Sequence, residues 1–150
     1  MAVSRLFSVA LLAAAMPFIA QSAMAQSPAP PNAAVYFVNI EDGQTVQSPF
    51  KVVFGLTGMG VAPAGTDKAN TGHHHLLINR AQLGMGEMGD YELEGALPAD
   101  ENHVHFGAGQ TETMLDLPAG THTLQMVLGD MNHIPHSPPV TSNVISITVE

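Results

Sequence analysis

His73-His74-His75 runs straight into Leu76-Leu77-Ile78 in the middle of the chain, so imidazoles begin what reads as a buried strand. The remaining histidines are grouped too: His103-Val104-His105, His133-Ile134-Pro135-His136, and a lone His122. Eight histidines stand against four lysines and arginines, and imidazole is the commonest metal ligand among side chains. Alternate residues of a strand share a face. His73 and His75 therefore stand together, roughly 7 Å apart at Cα, while His74 joins Leu76 and Ile78 on the other face. His103 and His105 pair in the same way, opposite Val104 and Phe106. Two His-x-His strands hold up to four imidazoles on rigid elements, and His133 and His136 on a proline-fixed loop can complete or cap the set. The predicted metal ligands are thus His73, His75, His103, His105, His133 and His136, with His74 a buried structural imidazole.

Gln110, Glu112 and Asp130 fall near these groups and are expected to orient imidazole N–H groups. Imidazole suits zinc, copper, nickel and iron alike. Met85 and Met88, in Met-Gly-Glu-Met, and Met131 beside the histidine loop are candidate soft ligands, and thioethers select Cu(I). Copper is therefore placed first and zinc second, although methionine also fills gaps in a core short of large aromatics. Ligation by neutral imidazoles predicts release of the ion by about pH 5, as the rings protonate. The chain has no cysteine, which removes thiolate metal sites, cysteine nucleophiles and CxxC redox chemistry. Neither Gly-x-Ser-x-Gly nor His-Glu-x-x-His occurs, so no catalytic residue is assigned.

Elements able to position these side chains are all strand-like. Short apolar or alternating runs at 35–40, 50–56, 73–80, 103–106, 110–117, 121–128 and 144–149 are punctuated by Gly and Pro, and no sustained 3.6-residue period appears. That pattern predicts an all-β fold, an antiparallel immunoglobulin- or cupredoxin-like sandwich of about seven strands, with a closed barrel as the competitor. In an immunoglobulin arrangement the loops after the second, fourth and sixth strands cluster at one end. His73, His75, His105, His133 and His136 would then meet there, and His122 would not. Residues 81–102 are polar, Gly-rich and without a clear element, a length of loop more often functional than structural.

Residues 1–25 read as a signal peptide: a basic start, an apolar stretch from Leu6 to Ala20, then Ala23-Met24-Ala25 ahead of Gln26. Residues 26–34 read as a Pro/Ala linker, loose in its first half, and 35–150 as one domain. No later stretch approaches the roughly 20 apolar residues of a membrane span. A periplasmic or secreted protein without membrane insertion is expected. Beyond residue 25 the basic residues are Lys51, Lys68 and Arg80, too few and too scattered for nucleic acid or anionic lipid. Without disulfides, an exported domain must rely on packing, or on packing plus metal.

Three blocks carry a resemblance: TGHHHLLIN at 71–79, ENHVHFGAGQTE at 101–112, and PAGTHTLQMVLGD with HIPHSPPV within 115–140. Together they resemble a family of small exported bacterial proteins known only as a domain of unknown function. The resemblance spans roughly 35–150, implies an immunoglobulin- or cupredoxin-like sandwich and implies no established activity. It takes in His122, whose place after the Pro-Ala-Gly turn suggests a structural corner. His103-Val104-His105-Phe106-Gly107 also looks like the His-x-His copper strand of copper–zinc superoxide dismutases. The cysteine pair of those enzymes is absent here, and the other histidines depart from their spacing.

The function expected from these observations is metal binding for buffering, delivery or sensing, with the metal ion and another envelope protein as partners. Two readings compete with it. One is a metal-dependent enzyme at the same cluster, with Glu112 or Asp130 as general base. The other is an envelope interaction or adhesion domain whose histidines are structural.

Overall fold

A computed structural model describes residues 26–83 and 95–150. The expected signal peptide, together with Met85 and Met88, lies outside the described residues. All regular structure among the described residues is β. Strands β1 (Ala34–Phe37), β3 (Phe50–Thr57) and β7 (Glu112–Leu115) form an antiparallel sheet in the order β1-β3-β7. The larger sheet runs β2 (Thr45–Val46), β9 (Ile145–Val149), β8 (Gly120–Gly129), β5 (Thr71–Ile78), β4 (Gly60–Val61). β6 (His103–His105) pairs antiparallel with β5 on the edge it shares with β4.

Alternation along the strands explains the layers. Val52 and Phe54 of the small sheet pack against Leu76, Ile78, Leu124, Met126, Leu128 and Ile147 of the large one, all buried in one core. The expected sandwich is therefore present, its large sheet mixed rather than purely antiparallel because β2 pairs with β9, and β4 with β5, in parallel. β5 departs from simple alternation, since seven of its eight residues are buried. Its second face carries His73, His75 and Leu77, and there Leu77 packs with Val127, Leu83 and Leu97. The flank of the 81–102 segment thus lies over the large sheet, held where Leu83 N–H donates to Gln125 and Leu97 N–H donates to the His133 carbonyl.

Two features differ from the sequence expectation. An immunoglobulin sandwich puts its fourth strand with the first, second and fifth; here β6 joins β5 in the other sheet, which sets His105 directly opposite His75. The expected loose linker is instead stitched to the loop after β8. Ala29 N–H donates to the Ser137 carbonyl at 3.1 Å, and Ser137 N–H to the Ser27 carbonyl at 2.9 Å.

Candidate metal centre

β5 and β8 pair in register His73↔Gly129 and His75↔Val127, and β5 and β6 pair His75↔His105. Three imidazoles therefore stand side by side on the sheet face turned away from the core. The loop after β8 brings His133 over them. Ring centroids lie 4.8 Å apart for His73–His75, 5.0 Å for His75–His105 and 4.6 Å for His105–His133. Each of His73, His75, His105 and His133 offers one nitrogen to a common point, and the four atoms lie within 4.8 Å of one another.

Hydrogen bonding does not account for this convergence. His73 Nε2 lies 3.0 Å from His75 Nε2 and 3.1 Å from His133 Nδ1. A neutral imidazole nitrogen has one in-plane proton or one in-plane lone pair, so it serves a single partner, and the second contact is left unmatched. A metal resolves the mismatch by accepting every lone pair at once. Zinc–imidazole bonds of about 2.0 Å place tetrahedral nitrogens roughly 3.3 Å apart, close to the 3.0 and 3.1 Å of the two His73 contacts. His73 Nδ1, His75 Nδ1, His105 Nε2 and both nitrogens of His103 are buried without a hydrogen-bond partner. Each buried nitrogen left without a partner carries a desolvation cost.

Burial and mutual repulsion favour the neutral form of His73, His75 and His105, the form ligation requires. Burial pushes His73 from 6.5 down to about 4, reinforced by His105 and His133 and opposed by the Asp130 carboxylate. His75 is pushed to about 2, by burial first and then by His73, His103 and His105 around it. Burial also lowers His105.

Close approach of backbone to imidazole is built into two glycines. A Cβ on Gly129 would lie 2.8 Å from His75 Nε2, and one on Gly107 would collide with the His105 ring. The sequence marks both only as turn residues. Gly129 ends β8 opposite His73, and Gly107 lies two residues beyond His105, so each glycine stands beside a histidine pair visible in the sequence.

The other predicted residues lie elsewhere. His103 is fully buried with its ring perpendicular to His75 at 5.2 Å, outside the group of four, and burial lowers it to about 4. His136 is buried behind Gly72, and its Nδ1–H donates to the Leu128 carbonyl at 3.3 Å. His74 faces the core, as strand period requires: its Nδ1–H donates to the Gln110 carbonyl at 3.1 Å and its ring meets Phe54 at 5.2 Å. The Gln110 side chain is engaged by Ala108 N–H. Glu112 sits on the exposed outer sheet, 2.8 Å from Lys51 Nζ. Asp130 is buried and accepts from the Asn132 and Ile134 amides. Met131 lines a cleft of about 240 Å³ with Ser27, Thr71 and His136. His122 is satisfied on both sides, donating to the Pro118 carbonyl and accepting from Asn79, the corner role its turn suggests.

Residues 52–150 match the family model described as Domain of unknown function (DUF4399). No curated protein and no solved structure matches the chain.

Proposed function

Because the chain belongs to the DUF4399 family, whose description names no activity, we propose from the site alone that it is an exported metal-binding module. Its task is to buffer, deliver or sense the ion, in the periplasm or outside the cell. The carrying observation is the convergence of four imidazole nitrogens from His73, His75, His105 and His133 within 4.8 Å. Four protein donors fill a tetrahedral shell, the arrangement of a holding site, whereas catalytic zinc keeps a position open for water. This favours binding over catalysis.

Copper stands first and zinc second. Imidazole binds metal as a neutral donor, and a buried site penalises uncompensated charge. A monovalent ion leaves less of it than a divalent one, and imidazole accepts both metals. The Asp130 carboxylate beside His73 offsets part of the remainder. Partners that give or take the ion would be other envelope proteins. Among the described residues no helix is long and apolar enough to cross a membrane.

Elemental analysis of protein purified without an affinity tag tests this reading. About one copper or zinc per chain is expected, and none after His75→Ala. Untagged protein that takes up neither metal when offered would refute it.

A further inference from the structure

Three ligands ride on hydrogen-bonded strands, but His133 does not. Its loop is organised around one buried carboxylate, and we infer that Asp130 is the positioning residue of the fourth ligand, latched in turn by Ser27. The inference rests on the four-histidine reading above and names what controls that site.

Asp130 is only 3% exposed. Its Oδ1 accepts from the amides on either side of His133, Asn132 at 2.8 Å and Ile134 at 3.0 Å. Backbone bonds close the same turn, with His133 N–H donating to the Asp130 carbonyl and Asp130 N–H to the Ile134 carbonyl. His133 is thereby held at φ 66°, a left-handed conformation that a non-glycine residue keeps only where its surroundings impose it. Oδ2 accepts from Ser27 Oγ at 2.7 Å. Ser27 and Ala29 are bonded to Ser137 at the far end of the loop. The segment following the expected leader thus crosses the ligand loop and completes the hydrogen bonding of the carboxylate that shapes it. Without Ser27 the buried Oδ2 loses a charge-assisted bond, and the restraint on His133 weakens. His73, His75 and His105 keep their places through the β5, β6 and β8 ladders. The ion accordingly departs by losing His133 first, and the latch sets how often that happens.

The test loads the full chain with Zn(II) and follows its transfer to a chromogenic chelator. Ser27→Ala is expected to release zinc about tenfold faster, as loss of a charge-assisted hydrogen bond implies. Ser27→Thr, which keeps the hydroxyl, should stay near wild type. Asp130→Asn keeps one acceptor oxygen and should fall between wild type and His133→Ala. In a His133→Ala background, Ser27→Ala should add nothing. An equal acceleration in both backgrounds, or none in wild type, overturns the latch. Where His133→Ala holds no zinc, the amide spectrum of the metal-free chain decides. Ser27→Ala should move the Asn132, His133 and Ile134 resonances and leave those of His73 to His75; uniform shifts or none overturn the proposal. Wild type that retains no zinc or copper fails earlier, at the reading of the site itself.

Discussion

At the scale of single residues, His75 concentrates the problem. It is fully buried, it lies 3.0 Å from His73, and its titration is pushed to about 2. Unfolded, each of these rings takes a proton near 6.5; folded, His73 and His103 refuse it until about 4. Their folded values are depressed, so the associated stability is complete above pH 6.5 and is lost as pH falls towards 4, with His75 extending the loss lower. Chemical denaturation of metal-free protein is expected to show a steep fall in stability between pH 6.5 and 4, shallower by about a third in His73→Ala because His75 and His103 contribute over the same window. Depression at His73 and His75 moves metal release below the pH 5 that an ordinary imidazole suggests, as a pH titration with a metal indicator would show. Period-two alternation separated His74 from His73 and His75 on sequence grounds alone. It did not separate His103 from His105, because both share a face and only the position of the His133 loop distinguishes them.

At the scale of elements, the pairing of β6 with β5 matters most. It turns two sequence-distant His-x-His strands into neighbours with His75 and His105 directly opposed. β8 supplies the space, since Gly129 lies beneath the imidazoles. Gly129→Ala is expected to cost about 1–3 kcal/mol from overpacking against His75. It should also weaken metal binding by about tenfold or more, measured by competition with a chelator of known affinity, because the displaced ring is one of the four proposed donors. By contrast Lys51 and Glu112 form an ion pair more than half exposed, and exposed pairs of this kind contribute little. The seven main strands were readable from apolar runs and Gly/Pro punctuation. Two-residue β2 and β4 were not, being too short to show a period. Sheet membership of β6 was hidden as well, because strand propensity does not choose a partner.

At the scale of the whole molecule, a chain without cysteine that buries five fully desolvated imidazoles has given up both disulfide bracing and part of its apolar core. A metal bound only by the folded state restores stability by mass action. With the ion at a hundredfold over its Kd, thermal unfolding should rise by on the order of 10 °C. A chelator should reverse the rise, and His75→Ala should show neither effect in scanning calorimetry. What the sequence determined by itself was the chemistry available: imidazole without thiolate, on strands, in an acidic chain unsuited to polyanions. Residue type and strand period are local properties, and they survive without coordinates. Only the tertiary structure decided which four histidines share a point, since that depends on strand partners and on a loop shaped by Asp130. Those contacts join residues far apart in the chain, and no local pattern encodes them.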